Sequence, residues 1–148
     1  MPLHCCDVVT MLSLLLLFLF YESYVLCTTQ DCKAKDLVPG KSGVVESHAL
    51  YGSQPYPSNA FCTHKIVVDP HYDIVFTVEE LDIESSNQCI FDYLDVHSAD
   101  GKEQQRLCGN EIPGYPIVIH SSSADVEFAS DGSGNGRGFR LSWAARER

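Results

Sequence analysis

Residues 81–109 read LDIESSNQCIFDYLDVHSADGKEQQRLCG, and this segment carries the strongest structural signal in the chain. It contains two of the seven cysteines, a dense set of carboxylates and a run of apolar residues typical of a strand. Glu84 and Asp92 lie eight positions apart, with Cys89 between them. This spacing is too long for one strand face and too irregular for a helix. It predicts a loop that leaves one strand, is fixed at Cys89 and enters the next strand.

The carboxylates of this loop raise the question of a metal ion. Two carboxylates that a loop holds together repel each other unless a cation lies between them. Calcium accepts several hard oxygen ligands in flexible geometry, which makes it the natural candidate outside the cell. The segment therefore predicts a calcium site that includes Glu84 and Asp92.

The rest of the chain consists of short apolar segments separated by turn residues. In one of them Ile74, Phe76 and Val78 alternate with other residues, the period of a half-buried strand. No segment has convincing helical periodicity, so the pattern predicts an all-β sandwich or barrel. The charged end, residues 144–148, is predicted to fray. The predicted strands are residues 43–45, 61–69, 72–81, 90–97, 116–120, 125–129 and 138–144, and the aromatic residues predicted to lie in the core are Phe76, Phe91, Tyr93, Phe128, Phe139 and Trp143.

The N-terminus predicts a secretory signal peptide. Residues 11–20 read MLSLLLLFLF, a run too short for a membrane helix, which needs roughly 20 apolar residues. We expect cleavage after Cys27, which gives a signal peptide of residues 1–27, a domain of residues 28–145 and a short tail of residues 146–148. An uncleaved signal anchor is the alternative, because the residues before the apolar run include no Lys or Arg.

The cysteine count agrees with cleavage at that point. Three cysteines lie within residues 1–27, and four remain after them, an even number that permits three disulfide pairings. Disulfides form in an oxidising compartment, so the count indicates a secreted, extracellular protein. The four remaining cysteines are Cys32, Cys62, Cys89 and Cys108.

Several of these motifs together resemble the CUB domain family of extracellular β-sandwich modules. The resemblance covers roughly residues 32–143 and includes the four cysteines, the run from Glu84 to Asp92, the Leu-Cys-Gly triplet at residues 107–109, and the ending F-x-S-D followed by G-F. It implies an antiparallel, jelly-roll-like sandwich with two disulfides, Cys32 with Cys62 and Cys89 with Cys108.

The resemblance also implies a site, since many CUB domains bind calcium. Glu84, Asp92 and Asp131 match the acidic ligands, and the carbonyl of Ser133 or of a neighbour in the Gly-rich loop matches a backbone ligand. Tyr56 matches a tyrosine whose hydroxyl orients a carboxylate. In the opposing interpretation, Glu84 and Asp131 are solvated loop acids and only Asp92 is structural.

Charge and motifs narrow the function. After residue 27 the chain has 10 basic and 18 acidic residues, a net charge of −8. This balance argues against nucleic acid, heparin or an anionic membrane as the main partner and favours a cation or a basic protein. The histidines form no zinc-binding pattern and no nucleophile motif occurs, so we expect no enzyme activity.

The sequence therefore predicts a secreted, single-domain CUB protein that binds an extracellular protein through calcium. Calcium would order two loops and leave carboxylate oxygens for a Lys or Arg of the partner. Two alternatives stay open: a fragment or accessory subunit of a multidomain extracellular protease, and a spermadhesin-like carbohydrate-binding protein.

Overall fold

The computed structural model describes residues 41–148. Within them it contains eight β-strands, one short 3-10 turn at Asn87–Cys89 and no α-helix. The strands are β1 Ser42–Glu46, β2 Phe61–Val67, β3 Tyr72–Asp82, β4 Tyr93–Ser98, β5 Gln104–Leu107, β6 Ile117–Ile119, β7 Ser123–Ala129 and β8 Gly138–Glu147.

These strands form two four-stranded antiparallel sheets. Sheet A has the order β1-β8-β3-β6 and sheet B the order β2-β7-β4-β5. Apolar residues of both sheets belong to one continuous core cluster, as expected for two sheets packed face to face. The predicted all-β sandwich is therefore confirmed.

Alternation along the strands decides which side chains enter the core. In β3, Ile74, Phe76 and Val78 are buried, as their period-2 spacing predicts. A β-bulge between Val78 and Glu80 then shifts the register with β8, and Leu81 is the next buried residue. The bulge sets the direction in which the chain leaves β3.

The predicted aromatic core is confirmed for Phe76, Phe128, Phe139 and Trp143, all of which are buried. It is wrong for Phe91, which is 49% exposed, and for Tyr93, which is only partly buried because it lies on the outer face of β4 beside the buried Leu94. The strand predicted from residue 90 begins only at Tyr93, because the 3-10 turn at Asn87–Cys89 ends with Ile90 in the helical region (φ −83°, ψ −16°) and the chain bends at residues 91–92.

The structure has one strand that the sequence did not predict and a more ordered C-terminal end than predicted. The Asp-Gly turn at residues 98–102 leads into β5, which the sequence did not predict because three of its four side chains are exposed. The prediction that residues 144–148 fray is wrong, because β8 pairs with β3 as far as Glu147. Arg146 and Arg148 hold this end through ion pairs of 3.4 and 2.7 Å with Asp73.

One disulfide lies within the described residues, Cys89–Cys108, as the resemblance implied. The predicted pairing of Cys32 with Cys62 lies outside them, because Cys32 precedes residue 41, and so does the predicted signal peptide. None of the helices in residues 41–148 is long and apolar enough to cross a membrane.

Candidate metal centre

Three carboxylates meet at one end of the sandwich. Glu84 follows β3 by two residues, Asp92 directly precedes β4, and Asp131 follows β7 by two residues. One oxygen atom from each side chain lies within 4.8 Å of the others. The three acidic residues predicted from the sequence therefore lie together, with one contributed by sheet A and two by sheet B.

Asp92 is the fixed member of this group. Its side chain is completely buried. The hydroxyl of Tyr56 donates to Oδ2 at 2.6 Å, and the backbone N–H of Asp131 donates to Oδ1 at 2.6 Å. Both oxygens are thus held by donors, and the second bond ties the loop after β7 to the start of β4.

Tyr56 joins all of the converging loops. Its hydroxyl accepts a hydrogen bond from the N–H of Glu84 at 3.0 Å and lies 3.3 Å from the carbonyl oxygen of Gly134. The ring packs edge-on against Phe128, with centroids 5.1 Å apart. Burial, and then the hydrogen bond to Asp92, raise the pKa of Tyr56 to about 12, so the hydroxyl stays protonated as a donor.

Glu84 is the uncompensated member. Its Oε2 is buried and has no hydrogen-bond partner within residues 41–148. Burial, followed by the charges of Asp131 and Asp92, raises the pKa of Glu84 above its ordinary value. No ion pair found in the described part of the chain includes any of these three acids.

This donor set fits a divalent cation, and calcium in particular. Three carboxylates supply hard oxygen atoms, and a cation between them would satisfy the orphaned oxygen of Glu84 and remove the mutual repulsion. Two of the three side chains are only partly buried, which leaves room for water in the coordination shell.

The Gly-rich loop, residues 132–138, closes the site from one side. The N–H of Ser133 donates to Oδ1 of Asp131 at 2.9 Å, and the side chain of Asn135 donates to the carbonyl of Tyr56 at 2.7 Å. The hydroxyl of Ser58 in turn donates to Asn135 at 2.9 Å. The role of the Ser133 carbonyl as a ligand stays a prediction.

Gly134 has to be glycine for two reasons. Its φ is +75°, and a Cβ at this position would lie 2.3 Å from Cδ of Glu84. The sequence suggested a turn of Gly residues but did not single out Gly134 or the anchoring role of Asn135. The roles of these two residues depend on their contacts with Glu84 and Tyr56, which belong to other loops. The sequence alone does not show which loops lie beside each other.

Beside Glu84 lies an open depression of about 290 Å³. The depression lies between the loop that carries Glu84 and the segment that follows Cys108. An isolated β-bridge between Ile83 and Gly109 links these two segments. Its lining residues include Asp82, Glu84, Gly109, Asn110, Gly134 and Gly136.

Comparisons with known proteins agree with the fold. A family profile described as CUB domain matches residues 32–143. Human procollagen C-endopeptidase enhancer 2 is 34% identical over 113 residues, which are 75% of this chain and 26% of that protein. The dorsal-ventral patterning protein tolloid of Drosophila melanogaster is 35% identical over 104 residues, 67% of this chain and 10% of that protein. The chain thus spans about a quarter or less of these two relatives.

One solved structure is similar over nearly its whole length. The crystal structure of the MASP-1 CUB2 domain bound to Ca²⁺ superposes with a TM-score of 0.66 and 30% sequence identity. The match covers 75% of this chain and 98% of that chain.

Proposed function

The chain belongs to the CUB domain family, and we propose that it is a secreted, calcium-dependent module that binds an extracellular protein and has no catalytic activity. Cleavage after Cys27 would release it from its signal peptide, residues 1–27. The proposal covers this domain alone, because the relatives it matches are several times longer.

A single observation carries the calcium dependence: the orphaned, buried oxygen of Glu84 beside two further carboxylates. In this proposal Glu84, Asp92 and Asp131 bind Ca²⁺, the carbonyl of Ser133 and water complete the shell, and Tyr56 orients Asp92. Similarity to a Ca²⁺-bound CUB domain supports the choice of ion.

The partner in this proposal presents a Lys or Arg side chain. Glu84 and Asp131 are partly exposed, so the outer lone pairs of their carboxylates remain accessible when a cation holds the inner ones. The net charge of −8 on the residues after Cys27, 10 basic and 18 acidic, favours approach of a basic surface. Calcium acts here by ordering the loops that carry Glu84 and Asp131 before the partner arrives. Less conformational entropy is then lost when the partner binds.

A second candidate is an accessory role beside an extracellular protease. Its support is the 34% identity to a protein whose name describes it as a procollagen C-endopeptidase enhancer. This role is compatible with the calcium site, because an accessory module also has to bind protein. Sequencing the transcript beyond the codon for Arg148 tests whether a protease domain follows.

Thermal unfolding of residues 28–148, with the disulfides intact, tests the metal site. We expect the melting temperature to rise with calcium concentration, by the equivalent of about 2.7 kcal/mol at a calcium concentration 100 times Kd. Glu84→Gln should abolish this rise. In EDTA the variant should be at least as stable as the wild type, because it removes a carboxylate that two neighbours repel.

Glu147→Gln is the matched control. Glu147 is exposed at the far end of β8, whereas β8 begins beside the site with Gly138. This variant should keep the full calcium response. A calcium response that survives Glu84→Gln, or no response up to millimolar calcium, would contradict the proposed site.

A further inference from the structure

Three side chains form a row across the outer face of sheet B. Phe61 of β2 is in register with Ala129 of β7, and Ala129 is in register with Tyr93 of β4. Alternation places all three on the outside, since Cys62, Phe128 and Leu94 beside them are buried in the core. We call Phe61, Ala129 and Tyr93 the aromatic groove.

The groove owes its shape to the small residue in the middle. Neighbouring strands lie about 4.8 Å apart, so the Cα atoms of the two aromatic residues are roughly 10 Å apart, with the methyl group of Ala129 between them. Phe61 forms one wall and is 55% exposed. The small side chain of Ala129 leaves the exposed ring of Phe61 open on this side, where an aliphatic side chain can pack against it.

The opposite wall, Tyr93, is held in position by contacts of its own. The hydroxyl of Tyr93 donates to Glu127 at 2.9 Å, and the guanidinium of Arg106 lies 3.9 Å from the centre of the Tyr93 ring. Arg106 is itself held by Asp95, with a nitrogen–oxygen distance of 2.8 Å. Ordering this wall on binding therefore costs little entropy.

The groove ends at the carboxylate cluster. Ala129 is the last residue of β7, and Asp131 follows it by two residues. Tyr93 is the first residue of β4, and Asp92 directly precedes it. Phe91, two positions before Tyr93, adds a further half-exposed ring at this end of the molecule.

We propose that the aromatic groove receives an apolar side chain from the same partner segment whose Lys or Arg meets the carboxylate cluster. This inference rests on the proposed function and specifies its partner: a segment with an aliphatic residue within about three positions of a basic one. An extended segment advances about 3.3 Å per residue, and the cluster and the groove are themselves only one or two residues apart along β4 and β7, since Asp92 precedes Tyr93 and Asp131 follows Ala129 by two residues. The three carboxylates of the adjacent cluster favour such a basic segment over an uncharged glycan.

Two capped tetrapeptides test the groove, one of sequence GGKG and one of sequence LLKL. Each is titrated into the calcium-loaded, isotope-labelled chain and followed by amide NMR shifts. We expect LLKL to bind about tenfold more tightly, the gain from burying one leucine-sized side chain. The LLKL peptide should shift the amide resonances of Phe61 and Ala129, and GGKG should not.

Phe61→Ser removes one exposed wall and should reduce the tenfold advantage of LLKL to threefold or less, with no change for GGKG. Val44→Ser is the control, because Val44 is 47% exposed on β1 of the other sheet, and it should keep the full advantage.

Equal binding of the two peptides by the wild type would overturn the groove and leave the proposed function intact. Failure of both peptides would overturn the proposed function and this inference together. Lactose is titrated in the same way as a glycan probe. If lactose shifts the amide resonances of Phe61 and Ala129 and LLKL does not, the groove binds a glycan and the inference is overturned.

Discussion

Tyr56 shows how much of the site depends on a single hydroxyl. It is the only donor to Oδ2 of Asp92 among the described residues, and the N–H of Glu84 donates to it in turn. Removing the hydroxyl would leave a buried carboxylate oxygen and a backbone N–H without these partners, which costs about 1–3 kcal/mol for each group. The tyrosine hydroxyl therefore holds the side chain of Asp92 and the backbone of Glu84 in place at the same time.

Gly134→Ala should weaken calcium binding more than it weakens the fold. The added Cβ would lie 2.3 Å from Cδ of Glu84, the far end of a flexible side chain, so Glu84 moves away and the cluster opens. We expect a loss of calcium affinity of at least tenfold, measured by calorimetry, together with about 1 kcal/mol of stability lost to the positive φ.

Gly101→Ala is the matched control for that experiment. Gly101 has a φ of +70°, close to that of Gly134, but apart from its own chain neighbours no atom of residues 41–148 lies within 4 Å of its added Cβ. Both variants should therefore lose similar stability in EDTA, and only Gly134→Ala should lose calcium affinity. Equal calcium affinities in the two variants would show that Glu84 does not belong to the site.

At the scale of the elements, β3 and β8 are joined by an ion pair as well as by their hydrogen bonds. Asp73 of β3 is 5% exposed and accepts hydrogen bonds from Arg148 at 2.7 Å and from Arg146 at 3.4 Å. The hydrogen bond from Arg148, opposed by burial and assisted by Arg146, lowers the pKa of Asp73 below its ordinary value of 3.8.

The lowered pKa fixes the sign of a pH dependence. Near pH 3.8 the unfolded chain binds more protons at this position than the folded chain, so folding stability rises with pH there. We expect Asp73→Asn to cost about 1 kcal/mol at pH 7. The difference from the wild type should shrink as the pH falls from 3.8 through the lower pKa of the folded state. Urea unfolding in EDTA at several pH values measures this difference in the free energy of unfolding. Glu111→Gln, which changes an exposed acid, is the control, and its difference from the wild type should not shrink in this way.

The elements also show where sequence patterns succeed and where they fail. The alternation of Ile74, Phe76 and Val78 identified β3 because one face of that strand enters the core. β5 escaped prediction because its only partner among the strands of residues 41–148 is β4 and because its side chains are mostly exposed. Phe91 was misplaced because the backbone turns at Gln88 and Cys89, and local hydrophobicity does not report φ.

At the scale of the whole molecule, the candidate site lies where the two sheets meet. The three acids were identified from motifs, but their approach to within 4.8 Å depends on β3 in sheet A and on β4 and β7 in sheet B. Contacts between residues so far apart in the chain follow from sheet topology. The aromatic groove has the same origin, because no local pattern places Phe61 beside Ala129.

A cation held by both sheets should protect one end of the sandwich from hydrogen exchange and leave the other end unchanged. The N–H of Asn59 donates to the backbone carbonyl of Asp131 at 2.7 Å, and the N–H of Ser133 donates to the carboxylate of Asp131 at 2.9 Å. Opening of either bond displaces a predicted ligand, so calcium at 100 times Kd should slow exchange of these amides by up to about 100-fold.

The opposite end supplies the comparison within the same experiment. The N–H of Gly101 donates to Ser98 in the turn between β4 and β5, which contains the acids Asp100 and Glu103. This turn opens locally without disturbing the cluster, so the exchange rate of Gly101 should be the same in calcium and in EDTA. Slowing at Gly101 with none at Asn59 would move the metal to that acidic turn, and the strand-end acids would then be a solvated group without an ion.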